Sequence, residues 1–296
     1  MNGYFIFAVY YYTSTLLTML NINNLTFRYP HQPLLFKELN LVLEDGHVYG
    51  LLGKNGAGKS TLLKNMIGLA FPAKGDCLLN GINVSNRPVQ ILEDMFFIPE
   101  DLFSPSITPT QFVANTACFY PKFNQSDFYH YLKIFDVDLD GPISKQSYGQ
   151  QKKTMIAFGL ATNTNMLIMD EPTNGLDIPS KVQFRKLIAS VQTENRYIVI
   201  STHQVRDLDS LIDTMLILHK GEIVVNSSLE EMGEKLTFGV YRDTAGLTVL
   251  YEEENIRGKN AILKNNAGEF GKVDMELIFN AIVSDNKSLL AILNES

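Results

Sequence analysis

The chain has 296 residues, 45% hydrophobic and 19% charged, with a formal net charge of −7 and a pI near 5.3. That is the composition of a globular protein with a sizeable core, long enough for one large domain or a large one with an appendage. The acidic balance and the lack of a dense Lys/Arg cluster argue against nucleic acid as a main partner. The two cysteines, Cys77 and Cys118, have no metal-ligand spacing and fit a reduced cytoplasmic protein with both thiols buried.

Residues 4–20 carry no charge. They lack the basic lead and small-residue cleavage site of a secretory signal, and they are short and rich in Tyr, Thr and Ser for a membrane span. A strand begins almost at once after Met19, so residues 1–18 are expected to be upstream read-through ahead of the true start. Residues 20–85 read mainly as strands. Within them, the apolar run at 48–52 predicts a buried strand, and 60–67 has helical spacing. Asn80-Gly81 marks a tight turn between short strands. From about 90 to 150 the texture is helical, and Thr108-Pro109-Thr110-Gln111 predicts a helix start with a capping box. Short apolar runs at 166–169, 197–200 and 214–218 suit a sheet covered on both faces. A helix opening at Asp177 and Pro179 and running through Val182, Leu187 and Ile188 separates the first two. The tail reads as short strands over 240–264, with turns at Gly246 and Gly258, followed by an amphipathic helix over 273–283.

Between the strand at 48–52 and the next helix lies Gly53-Lys54-Asn55-Gly56-Ala57-Gly58-Lys59-Ser60, which fits G-x-x-x-x-G-K-[ST] at every specified position. Glycines let the backbone curl so that successive N–H groups point at one anion. Lys59 can reach the β- and γ-phosphates, and the Ser60 hydroxyl can hold magnesium. A second apolar strand ends in Asp170-Glu171. Both carboxylates therefore emerge at the sheet edge where the phosphate loop opens, Asp170 suited to magnesium and Glu171 to polarising a water.

Over residues 20–229 the chain resembles the ATP-binding subunit of an ABC transporter. Besides the phosphate loop and the Asp170-Glu171 strand, Asn174-Gly175-Leu176-Asp177 is similar to the family's D-loop, and Ser201-Thr202-His203 to its switch histidine. Tyr29 sits where the family carries an aromatic that stacks on adenine. The usual Leu-Ser-Gly-Gly-Gln signature appears as Gln146-Ser147-Tyr148-Gly149-Gln150, with Tyr148 in place of the first glycine. The Q-loop glutamine appears as Glu100. The resemblance implies an α/β P-loop NTPase fold of the ABC type over residues 19–234, with an antiparallel β subdomain and a helical subdomain at about 90–150. A small α+β extension would occupy 235–296.

By the same resemblance, Glu171, His203 and Lys59 are the catalytic group. ATP contacts fall on Tyr29, Gly53, Lys54, Asn55, Gly56, Ala57, Gly58, Lys59, Ser60, Thr61, Glu100 and His203, with Ser147 and Gly149 serving the nucleotide of an opposing subunit. Magnesium falls to Ser60, Asp170 and Glu100. The implied assembly is a head-to-tail homodimer or heterodimer of ATPase subunits on a separate membrane permease, at the cytoplasmic face. Glu100, Tyr148 and the short extension look most like ATPases paired with ABC-2-type exporter permeases. Two alternatives stand beside this: a soluble ABC ATPase acting on DNA or ribosomes, and a hydrolysis-poor regulatory member of a heterodimer.

Overall fold

The computed structural model describes residues 19–265 and 271–295, so the read-through expected over residues 1–18 lies outside the described residues. β1 (Met19–Phe27) and β2 (Phe36–Glu44) largely alternate buried and exposed side chains and pair antiparallel, with one face covered. β3 (Val48–Leu52) differs: every residue is buried, as a strand covered on both faces requires. After α1 (Lys59–Met66), β4 (Lys74–Leu79) and β5 (Ile82–Asn83) form a hairpin on Asn80-Gly81, whose φ values of 52° and 77° suit the tight turn.

The region read as helical begins with α2 (Val89–Leu92), but a strand, β6 (Met95–Ile98), interrupts it before α3 (Pro109–Thr116), α4 (Gln125–Ile134) and α5 (Tyr148–Ala161). Four apolar residues carry no decisive period; pairing with the next strand makes 95–98 a strand. The capping box forms reciprocally, the Gln111 amide donating to Thr108 Oγ1 at 3.2 Å and the Thr108 amide to Gln111 Oε1 at 3.0 Å.

Alternation then resumes with β7 (Met166–Asp170), α6 (Ile178–Val191), β8 (Tyr197–Thr202) and β9 (Thr214–His219), and Asp177 caps α6. β10 (Glu222–Ser228) and α7 (Leu229–Lys235) lead to β11 (Leu236–Tyr241), β12 (Val249–Asn255) and β13 (Gly258–Lys264). α8 (Met275–Val283) is the amphipathic helix expected near 273–283, whereas α9 (Lys287–Leu293) was not foreseen.

Three sheets result: β2-β1-β4-β5, β10-β9-β3-β8-β7-β6 and β11-β13-β12. In the second, β9, β3, β8, β7 and β6 run parallel, so the carboxyl ends of β3, β8, β7 and β6 line one edge in that order. Leu52 pairs with Thr202 and Asp170 with Ser201, which sets these ends level. On the helical side, the Phe158 ring of α5 meets Phe112 at 4.9 Å and Phe123 at 5.0 Å between centroids. That cluster seats α5 against α3 and β6 and aims its N-terminus at the sheet edge. The mixed α/β architecture with antiparallel sheets is the one the sequence led us to expect.

One expectation fails. Cys77 is buried in β4, but Cys118 is exposed, because it lies on the outer side of the turn after α3. Burial, with Asp76 adding to it, pushes the Cys77 thiol up to about 12. The native chain is therefore expected to take one equivalent of a maleimide, at Cys118, and a second only on unfolding. Peptide mapping that found Cys77 labelled at a comparable rate in the folded chain would contradict this placement.

Candidate active site

Strand ends and one helix start build the cleft. The phosphate loop leaves β3 at Gly53 and turns through Gly56 and Gly58, whose φ values are 79° and 103°. Gly58 is required twice over: an L side chain is strained at that φ, and a Cβ would sit 3.0 Å from the Phe36 ring. The Ala57 amide closes the turn on the Lys54 carbonyl at 3.0 Å. No described side chain caps α1, which leaves the amide donors of its first turn to an incoming anion. Lys59, 7% exposed, curls back to donate to the Gly53 carbonyl at 2.9 Å.

Across the edge, β7 ends in Asp170 and the next residue takes a left-handed turn, Glu171 having φ of 46°. A non-glycine residue held there costs roughly 1–2 kcal/mol, so the neighbours must impose it. They do so through Ser201 on β8. The Glu171 amide donates to both the Ser201 carbonyl and its hydroxyl oxygen, each at 3.1 Å, while that hydroxyl donates to Asp170. Glu171 is 4% exposed. Its Oε1 lies 2.9 Å from His203 Nδ1 and 3.7 Å from Lys59 Nζ. With the carboxylate ionised, Nδ1 is the donor. Oε2 is buried and has no hydrogen-bond partner among the described residues. A buried carboxylate oxygen without a donor points to a group that arrives from outside the chain.

Glu100 follows β6. Its Oε1 accepts from Asn174 Nδ2 at 3.2 Å, and its carbonyl accepts from the Tyr148 hydroxyl at 2.7 Å. Tyr29 lies just past β1, its ring edge-on to Phe27 and its hydroxyl 3.0 Å from Thr61 Oγ1. That contact ties the candidate adenine platform to the first turn of α1.

A cleft of about 580 Å³ thus brings together Tyr29, Asn55, Gly56, Gly58, Lys59, Ser60, Thr61, Glu100, Glu171 and His203. Gln32, Pro33, Leu34 and Leu35 of the β1–β2 turn also line it, and no sequence motif had marked them. Gly53, Lys54 and Ala57 shape the loop without lining the cleft, and Asp170 is buried beneath it. Ser147 and Gly149 do not line it either. Ser147 caps α5, its hydroxyl oxygen accepting from the Gln150 amide at 3.4 Å. Gly149 lies so close to the turn after β7 that a Cβ would come within 2.8 Å of the Gly175 carbonyl.

Sequence reasoning missed Ser201 as the residue that shapes both carboxylates, although it sits two residues before His203. Only the pairing of β7 with β8 shows it. It also missed the buried net below, where Thr173 donates to Asp207 at 2.6 Å and Lys181 donates to the same carboxylate at 2.7 Å.

Magnesium fits the chemistry of the donor set: the Ser60 hydroxyl, the Asp170 and Glu100 carboxylates, and the unpartnered Glu171 oxygen are all hard oxygen groups. Among the described residues no three His, Cys, Asp or Glu are grouped to hold a metal by themselves. That suits an ion taking most of its ligands from phosphate and water.

Known proteins align with this arrangement. A family model described as ABC transporter matches residues 36–174. The chain is 27% identical over 232 residues to the energy-coupling factor transporter ATP-binding protein EcfA2 of Staphylococcus aureus (strain MRSA252), spanning 72% of this chain and 81% of that one. A solved structure of the ATP binding subunit of an ABC transporter superposes with a TM-score of 0.65 at 26% identity, over 73% of this chain and 92% of its own. A bacterial Atm1-family ABC exporter with ATP bound matches at a TM-score of 0.63 over 72% of this chain and 39% of its own. At 19% identity, that likeness concerns the fold alone. With a phosphate loop, a paired-carboxylate strand and His203 meeting on one sheet edge, the chain carries an ABC transporter domain over residues 36–174, and the proteins it is similar to are ATP-binding subunits of ABC transporters.

Proposed function

We propose that this chain hydrolyses ATP in the Lys59 cleft to drive a separate membrane permease. The observation that carries the reading is Glu171. One oxygen is steadied by His203 beside Lys59, and the other is buried, without a hydrogen-bond partner among the described residues, in a cleft that also opens onto the first turn of α1. Lys59 and the amide donors of the phosphate loop bind the triphosphate. Ser60, Asp170 and Glu100 would hold magnesium, which would supply positive charge to the phosphate oxygens as negative charge builds on them. Glu171 Oε2 then accepts a proton from the attacking water, while His203 keeps the carboxylate turned toward it. Tyr29 offers its ring face to adenine, and its bond to Thr61 holds the ring at the mouth.

Ser147 and Gly149 lie outside this cleft, which supports their service to the nucleotide of a second ATPase subunit, identical or related. Nucleotide bridging two such surfaces closes the pair, and hydrolysis loosens it. A separate permease agrees with the described residues, among which no helix is long and apolar enough to cross a membrane. Its docking place is the groove between α1, β6 and the turn after α3, lined by Leu69, Val89, Phe97 and Phe119. Val89 is 65% and Phe119 64% exposed, which is apolar surface of the kind a partner covers. The carboxylate at Glu100 supports an exporter-type permease, with the ATPase on the cytoplasmic face.

Glu171→Gln is expected to keep ATP binding and lower turnover by roughly 10²–10⁴, the worth of a positioned base. Wild-type turnover in the purified variant would refute the assignment. Lys59→Ala removes a charged donor and is expected to weaken ATP binding by at least about tenfold, read by titration with a fluorescent ATP analogue. Unchanged affinity would contradict the phosphate cradle. Phe119→Asp is expected to move the chain from the membrane to the soluble fraction of cells that hold its permease. Undiminished membrane association would place the docking surface elsewhere. A chain that binds ATP and never turns it over would instead be the hydrolysis-poor member of a heterodimer.

A further inference from the structure

We propose that Tyr148 is a positioning residue that acts on the cleft of its own chain through Glu100. The proposal rests on reading Glu100 as a group that handles magnesium or water for hydrolysis, and it concerns how that group is held.

Tyr148 occupies the first position of α5, immediately after the Ser147 cap. A tyrosine replacing a glycine there is expected to project outward and obstruct an opposing nucleotide. The structure has it turn the other way. Its ring lies on Gly175, so closely that a Cβ at that position would meet the ring at 2.6 Å. Its hydroxyl donates to the Glu100 carbonyl at 2.7 Å, while the residue as a whole is 43% exposed.

Lys152, one helical turn further on, completes the strut. It is fully buried, donates to the same Glu100 carbonyl at 3.1 Å and to the Tyr148 hydroxyl at 3.4 Å, and has its ammonium 5.6 Å from the ring centroid. Burial lowers its pKa, and the nearby carboxylates of Glu100, Asp170, Glu171 and Asp101 oppose that shift. A charge so deeply buried persists only where it is paired or hydrogen-bonded, and the Glu100 carbonyl and the Tyr148 hydroxyl are the two acceptors that hold it.

Glu100 is therefore gripped at two points. Its backbone is held by α5 through Tyr148 and Lys152, and its carboxylate by Asn174 in the turn after β7. A glycine at 148 could supply neither the hydroxyl nor the ring. The departure at the signature and the departure at the Q-loop are thus one arrangement. The tyrosine fixes the backbone of the carboxylate that stands where the family has glutamine, and it locks the start of α5 to the same loop.

The test is Tyr148→Phe in the full chain, which keeps the ring and removes only the hydroxyl, with Tyr148→Gly as a second variant that removes both. In the nucleotide-free protein, chymotryptic cleavage after Phe103, which is 87% exposed, is expected to quicken about three- to tenfold in Tyr148→Phe, the worth of one hydrogen bond, and further in Tyr148→Gly. Amide hydrogen exchange in the later turns of α5 should be unchanged, which a general loosening of the helix would not allow. For turnover, Tyr148→Phe should lower kcat with KM for ATP within twofold, and should add nothing in a Glu100→Gln background. Unchanged cleavage after Phe103, or an equal kcat loss in both backgrounds, overturns the proposal. Because cleavage is read without nucleotide, it decides the role of Tyr148 even if the wild-type chain turns over no ATP, a result that would count against the proposed function instead.

Discussion

The molecule is organised around one buried charge, the Glu171 carboxylate, set beside a loop built to attract anions. Taking a carboxylate out of water is unfavourable by several kcal/mol unless opposite charge and hydrogen bonds stand close. Lys59 supplies the charge at 3.7 Å and His203 the hydrogen bond at 2.9 Å. Ser201 forces the backbone into the left-handed conformation that aims the carboxylate. The other oxygen finds no hydrogen-bond donor among the described residues.

Everything else in the fold serves to bring these groups to one place. Because β3, β8, β7 and β6 are neighbours and parallel, the residues that leave them emerge side by side: the phosphate loop, His203, Asp170-Glu171 and Glu100. Ligands bind outside the carboxyl ends of parallel strands for this reason. His203 is also supported from behind. The helical turn that follows it buries Val205 and Leu208 and sends Asp207 to Thr173 and Lys181. The same turn reaches the last elements of the chain through the Arg206–Glu276 ion pair, and Lys272 pairs with Asp209. The tail therefore shares a boundary with the element that carries His203, and an apolar cluster including Leu208, Val225, Ile278 and Ile292 runs across it.

How far the chain's chemistry could be read in advance depended on how local each signal was. The phosphate loop, the capping box at Thr108, the Asn80-Gly81 turn and the strand ending in Asp170-Glu171 are legible because a few consecutive residues dictate backbone conformation through sterics and short-range hydrogen bonds. The strand at 95–98 and the helix at 287–293 were not, since short apolar stretches have no period of their own and take their conformation from what they pack against. Cys118 was misjudged because burial is decided by neighbours distant in sequence.

By itself, the order of amino acids determined that a triphosphate-sized anion could be cradled after one buried strand and that two acids would end another. Glycines, a lysine and adjacent carboxylates carry those properties wherever the chain goes. Only the tertiary structure decided that Ser201 would shape both acids, that one Glu171 oxygen would find no donor among the described residues, and that Tyr148 would fold over onto Glu100. Those are contacts across tens of residues, and they exist only once the strands are in register and α5 is seated on its aromatic cluster.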